Sequence, residues 1–260
     1  VKPQLRSGET EIIANDHVIN INGRCHIVLV CEHASNAIPE AYSDLGLDAV
    51  TLQSHIAWDP GALSVAKGLS QYFDAPLVTP AVSRLVYDCN RHADVKSAVP
   101  ERSENHVIPG NVGISSQERK NRENKYYKPF RDALITVIEQ TIQTKQKPIV
   151  ITIHSFTPIY AGVSRDFDLG ILHDADARLA DKLLDSAKAD GVLSVMRNQP
   201  YGPEDDVTYT LTEHAVSRGL LNVMIEIRND LISNEADCQR MVKRLAKYIE
   251  QAVKDCAHDH

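Results

Sequence analysis

Residues 25–32 read CHIVLVCE and run directly into HASN at 33–36. An unbroken aliphatic run of this length, with no polar position alternating through it, marks a strand covered on both faces, as in a parallel sheet. PIVITIHS at 148–155 and LLNVMIEIR at 220–228 repeat the type. Shorter strands are expected on either side of Pro80 in APLVTPAVSRLVYD (75–88) and in FDLGIL (167–172). Helical patterns lie between them. One is expected over 60–73, where Asp59-Pro60 supplies an N-cap followed by proline at the first helical position. Others span about 174–189 and 234–254. A long one from 115 to 146 opens with the capping box Ser115-x-x-Glu118 and should be kinked or divided at Pro129. This alternation predicts α/β, with a mainly parallel sheet in a single domain over 1–260.

The 260 residues are 43% apolar, enough for a sizeable core, and carry a formal charge of -7. No block of Lys and Arg stands out, so no nucleic acid or anionic membrane partner is expected, and a small molecule is. The five cysteines are odd in number and form no C-x-x-C pair, which argues against a disulfide framework or an all-cysteine metal site. No apolar window reaches membrane-spanning length, and residues 1–16 are too polar for a signal-peptide core; a cytoplasmic location is expected. Nothing in the pattern specifies an oligomeric state.

Open α/β sheets bind ligands beyond the carboxyl ends of their strands. Here those ends are polar. They carry Glu32-His33, His154-Ser155 and Glu226-Ile227-Arg228, and RLVYDCNR ends in Asp88, Asn90 and Arg91. Asp59 belongs on the same rim if its helix follows the first strand. A single histidine after an apolar run is commonly just a satisfied core residue, and Asp59 a plain helix cap. Two imidazoles and a carboxylate together, however, form an open zinc site with room for water. Glu226 sits among aliphatics, where a carboxylate is costly to bury unless paired or working. Arg228 shares its face, so a salt bridge between them is the competing expectation. Arg91 has the planar fork that grips a carboxylate through two hydrogen bonds. His55, four residues before Asp59, could approach a metal or orient a ligand. His214, on an expected helix, is an intermediate candidate, and PYGPEDDVTYT (200–210) reads as a loop that covers a site.

These segments resemble the N-formylglutamate amidohydrolases. The matching stretches are VCEHASNAIP (30–39), HIAWDPGA (55–62), SRLVYDCNR (83–91), ITIHSFTP (151–158), AGVSRDFDLGIL (161–172), NQPYGPEDDVTYTL (198–211) with His214-Ala215, and VMIEIRNDLI (223–232). They cover about 27–232 in the family's order. The resemblance implies a wider relation to zinc carboxypeptidases and cell-wall amidases. The fold implied is a three-layer α/β/α arrangement with a twisted, mainly parallel mixed sheet, zinc-dependent exopeptidase-like or phosphorylase/hydrolase-like. In the carboxypeptidases an IHSY strand end gives a zinc-ligand histidine, an ELR strand gives the catalytic glutamate, and an NR pair holds the substrate carboxylate. By likeness, His154, Glu226 and the pair Asn90-Arg91 take those parts.

One departure concerns the carboxylate ligand. The carboxypeptidases draw two ligands from H-x-x-E, and the same spacing here gives His33 and Asn36. Asn is a poor zinc ligand. The amidases take their carboxylate from a later segment, so His33, Asp59 and His154 are the expected Zn2+ ligands. Glu32 is the fallback, disfavoured because neighbouring strand residues point to opposite faces. The expected reaction is zinc-dependent hydrolysis of an N-acyl amino acid, N-formyl-L-glutamate above others. Glu226 would be general base then acid, and Arg165 would help hold the oxyanion. Arg91 with Asn90 would take one substrate carboxylate, with Arg84, Arg165 and Arg228 competing for the other. The rival readings are a zinc peptidase or cell-wall amidase, and a non-catalytic α/β protein that binds an acidic metabolite.

Overall fold

The structure, a computed structural model, describes residues 17–258 apart from residue 145. The polar N-terminal stretch at 1–16 and the terminal His260 lie outside the described residues. Among the described residues the main sheet has seven strands: β1 (Val18–Ile19), β2 (Ile27–Val30), β3 (Leu77–Val78), β4 (Ile149–Phe156), β5 (Leu169–Leu172), β6 (Val195–Arg197) and β7 (Leu221–Arg228), in the order β1-β3-β2-β4-β7-β5-β6. The pairs β3/β2, β2/β4, β4/β7 and β5/β6 are parallel; β1 runs antiparallel to β3, and β5 antiparallel to β7. The sheet is therefore mixed and mostly parallel.

Period-two alternation sorts the aliphatics of the long strands. Ile27, Leu29, Ile149, Ile151, Ile153, Val223, Ile225 and Ile227 pack against α1 (Ala62–Phe73), α3 (Arg178–Asp190) and α4 (Glu235–His258). Val28, Val30 and Val150 join a second cluster with Phe130, Leu134 and Ile138 of α2 (Lys128–Gln143). Both faces of the strands are thus covered, which is why they read as unbroken apolar runs. Fully burying each such side chain is worth about 1.5–3 kcal/mol relative to exposure.

Two expectations are corrected and a third is refined. The segment 82–91 is not a strand: Leu85, Val86 and Tyr87 are buried in the second cluster, but the backbone turns, with Val86 N–H donating to Ser83 O and Asp88 N–H to Ala98 O. Helix α1 begins at Ala62 rather than Pro60, with Gly61 at its N-cap in the left-handed region (φ 81). A side chain at 61 would meet the backbone of Ile232, so glycine suits both the turn and the close approach. Asp59 therefore does not cap the helix with its carboxylate, which is left to point elsewhere. The long helix divides as expected, though not with a simple kink: Ser116–Arg122, capped by Ser115 Oγ accepting from Glu118 N–H, passes through a π-helical turn at Glu123–Tyr127 into α2. Pro129, which has no N–H to donate, follows that turn.

Candidate active site

The polar face of β4 and β7 carries the site. Thr152, His154, Asn222 and Glu226 occupy buried positions on the face that Val28, Val30 and Val150 fill with aliphatics. His154 and Glu226 are register partners across the parallel β4/β7 ladder, so their side chains leave the sheet next to each other. On its other flank Glu226 is opposite Gly170 of β5. A Cβ at 170 would collide with the carbonyl oxygen of Gln199. Glycine there lets the 198–207 loop come down onto the sheet, bringing Tyr201 and Val207 to the wall of the cavity above Glu226.

His33 comes from the segment leaving β2, and its carbonyl accepts the Asp59 backbone N–H at 3.0 Å, which ties the two segments together. Asp59 Oδ2 lies 2.9 Å from Nδ1 of His154 and 3.3 Å from Nδ1 of His33, and also accepts the Ser155 N–H at 3.3 Å. The imidazoles meet edge to face, 4.9 Å between centroids. Donor atoms of His33, Asp59 and His154 all lie within 4.8 Å of one another, and all three residues are buried. Asn36 is turned away and donates to Leu52 O. Ser155 Oγ donates to the Pro60 carbonyl, a structural bond.

The second nitrogen of each imidazole faces another carboxylate. Nε2 of His33 is 2.8 Å from Asp88 Oδ1, and Nε2 of His154 is 3.0 Å from Glu32 Oε2. Arg84 spans the acidic side of the cluster, 3.5 Å from Asp59 Oδ1 and 3.2 Å from Asp88 Oδ2. The four buried carboxylates of Glu32, Asp59, Asp88 and Glu226 outnumber that guanidinium. Two imidazoles and a carboxylate converging from three directions, with surplus negative charge around them, form a donor set that could hold a divalent metal ion.

Burial pushes the Glu226 carboxyl up to about 7, with His154 and His33 opposing the rise and Asp59 adding to it. Its Oε2 is buried without a hydrogen-bond partner. Burial also opposes ionisation of Asp59, but the adjacent imidazoles outweigh it and hold that carboxylate well below its usual range. Two carboxylates in one site are thereby driven apart, one toward permanent charge and one toward proton exchange near neutrality.

The predicted substrate-binding residues divide. Asn90, Arg91 and Arg84 line a cavity of about 160 Å³ together with His33, Asp59, His154 and Glu226. Asn90, however, spends its amide on the backbone: it donates to Val207 O at 2.5 Å and accepts from Thr210 N–H at 2.9 Å, pinning the loop that covers the site. Arg91 Nη1 donates to Asn90 O and Asp206 O. Arg165 is stacked among Phe156, Tyr160 and Tyr201, 4.6–5.8 Å from their ring centroids, and its Nη1 is buried without a partner. The structure does not bring Arg228 to the cavity; it is engaged by Asp168 at 3.3 Å and Asp230 at 2.8 Å rather than by Glu226. His55 lines the cavity but contacts Glu104 at 3.2 Å instead of the imidazole cluster. Asp88 and Tyr201 were given no role by sequence reasoning. Asp88 had a signal, as one of the polar residues ending RLVYDCNR; Tyr201 had only its loop.

A family model described as N-formylglutamate amidohydrolase matches residues 25–233. A crystal structure of a gene product from Agrobacterium tumefaciens is similar over 92% of this chain and 95% of its own, with 49% sequence identity and a TM-score of 0.90. A crystal structure of N-formylglutamate amidohydrolase from Ralstonia eutropha JMP134 shares the fold, with a TM-score of 0.60 and 18% identity over 91% of this chain and 95% of that one. No curated protein matches the chain. Among the described residues no helix is long and apolar enough to cross a membrane.

Proposed function

Because the chain belongs to the N-formylglutamate amidohydrolase family, we propose that it is a zinc-dependent hydrolase of N-acyl amino acids, with N-formyl-L-glutamate as substrate and formate and L-glutamate as products. The observation that carries this reading is Glu226: a buried carboxyl with its pKa raised to about 7, one strand over from a member of a three-donor metal group. Helices against both faces of the sheet suit a single catalytic domain of three-layer, zinc-exopeptidase-like architecture.

His33, Asp59 and His154 would hold the ion, and two imidazoles with one carboxylate favour zinc. A zinc ion there would supply Lewis acidity that lowers the pKa of water toward about 7 and polarises the acyl carbonyl. Glu226 takes the proton of the attacking water and returns it to the leaving nitrogen, so the C–N bond breaks to a carboxylic acid and a neutral amine. Arg84, beside Asp59 and reaching the same cavity, is the cation placed to steady the developing oxyanion, in preference to Arg165. Arg91 on the cavity wall is the anchor for one substrate carboxylate. Arg165 does not line the cavity, but it is stacked against Tyr160 and Tyr201 of its wall with Nη1 unpartnered, and is the candidate for the second; Asn90 shapes the loop above them.

The test is a panel of N-formyl and N-acetyl amino acids, scored by released amine, run with measurement of bound zinc. Roughly stoichiometric zinc and a marked preference for N-formylglutamate are expected. Release that is the same across side chains would refute the two-carboxylate site. Activity that persists after the zinc has been stripped by a chelator would refute the metal mechanism.

A further inference from the structure

Two short hairpins stand outside the main sheet, Arg102–Ser103 with His106–Val107 and Ile159–Tyr160 with Val163–Ser164. Their tips are joined by one side chain. Glu104, at positive φ (51) in the first turn, accepts the N–H of Ala161, at positive φ (49) in the second, through Oε1 at 2.8 Å. Its Oε2 lies 3.2 Å from Nε2 of His55. The Glu104 side chain is only 14% exposed despite its place on a turn.

All three pieces tied by Glu104 are walls of the catalytic cavity, through Ser103, Tyr160 and His55. Arg165 stacks over the Tyr160 ring of the second hairpin at 4.6 Å. Val107, Ile159 and Val163 turn outward, 46%, 59% and 67% exposed, so these residues bury little apolar surface. A two-stranded hairpin is marginal by itself in water. A largely buried carboxylate that accepts a charge-assisted hydrogen bond from Ala161 therefore ties the two hairpins, and its other oxygen lies against His55 of the 55–59 segment. The cavity so bounded, about 160 Å³, is smaller than the roughly 300–1,000 Å³ of sites that take drug-sized ligands.

We propose that Glu104 is a specificity-determining clasp that closes the cavity around a single N-acyl amino acid and excludes N-acyl peptides, by holding the two hairpins and His55 together. This rests on the hydrolase reading given above. A substrate that ends at its α-carboxylate fits within the clasped walls; one that continues past that carboxylate must part the hairpins.

The test compares N-formylglutamate with N-formylglutamyl-alanine, following formate release, in the wild type, Glu104→Ala and Glu104→Gln. Amide hydrogen exchange at Ala161 is measured alongside as a readout independent of turnover. Loss of a charge-assisted hydrogen bond should shift the ratio of kcat/KM for dipeptide over amino acid upward by about tenfold or more in Glu104→Ala and speed Ala161 exchange comparably. Glu104→Gln, whose amide oxygen can still accept from Ala161, should stay closer to the wild type on both. Unaltered Ala161 exchange in Glu104→Ala would show that the clasp does not hold the hairpins. Faster exchange with an unaltered ratio would show that it holds them without selecting substrate; either result overturns the proposal. Failure of the hydrolase reading is separately visible, as a wild type that releases formate from neither compound, and the clasp proposal would fall with it.

Discussion

Asp88 Oδ1 stands 2.8 Å from Nε2 of His33, at the ring nitrogen opposite the one that faces Asp59. Glu32 Oε2 approaches the corresponding nitrogen of His154 to 3.0 Å, an ion-pair contact without hydrogen-bond geometry. A carboxylate behind each imidazole fixes ring orientation and tautomer and makes the other nitrogen a better donor to a cation. Asp88→Asn and Glu32→Gln, which keep size and remove charge, should each weaken zinc affinity about 10–100-fold, measured by competition with a chelator on protein shown by circular dichroism to be folded. An unchanged affinity in both variants would leave these carboxylates without the orienting role.

Glu226 is assigned to proton transfer and is not a member of the three-donor group. Glu226→Gln should therefore keep its zinc while kcat falls about 10²–10⁴-fold. Metal analysis and steady-state kinetics on the same preparation check both halves. A variant that retains near-normal turnover would show that the base is another residue.

Gly170 serves the site through its missing side chain. Gly170→Ala drives a methyl group into the Gln199 carbonyl, and two backbones cannot both keep their places. The expected result is a loss of stability at the upper end of single substitutions, about 3 kcal/mol or more, read from urea unfolding. If the protein still folds, Tyr201 should withdraw from the cavity wall and KM should rise.

His214, in the short helix Tyr209–His214, gives a pH signature. Burial, with smaller effects from Arg218 and Arg131, lowers its pKa to about 4, and Nδ1 has no partner. The unfolded chain would titrate this group near 6.5, so between roughly 6.5 and 4 the unfolded state binds the extra proton. Its effect on stability is absent above that window, grows as pH falls, and reaches a loss of about 3 kcal/mol below it. His214→Leu should remove this part of the acid sensitivity. Unfolding curves of both proteins between pH 7 and 4 that stay parallel would contradict the assignment.

The chemistry at the strand ends was legible because the aliphatic runs of β4 and β7 stop abruptly at ionisable residues, and the parallel pairing sets those ends side by side. Glu32 was harder to read. Strict alternation argues against its sharing a centre with His33, but β2 ends at Val30 and its last bond to β3 is from the Cys31 N–H, so residues 32–33 are outside the ladder and alternation no longer governs them. The segment 82–88 misleads in the opposite way: Leu85 and Val86 are as buried as strand residues, while their backbone bonds are those of turns. Arg228 shares a strand with Glu226, but it lies at the end, where Asp230 and Asp168 capture its guanidinium. Glu104 could not have been found from the sequence, because its partners His55 and Ala161 are 49 and 57 positions away and Glu104 itself, unlike those two, lies in no family-like segment.

The register between His154 and Glu226 has a consequence for how this enzyme could diverge. The distance from His154 to Glu226, the proposed metal ligand and base, is a lattice constant of the sheet, close to the inter-strand repeat of about 4.8 Å, and is maintained by every backbone bond of the β4/β7 ladder. Tyr160 comes from a separate hairpin, and Arg165, Tyr201 and Glu104 from turns and connecting loops, none of which contributes to that ladder. Insertions or exchanges in those connections can therefore retune which acyl compound enters while the reacting groups keep their spacing, so that substrate choice and bond cleavage are free to evolve on separate parts of the chain.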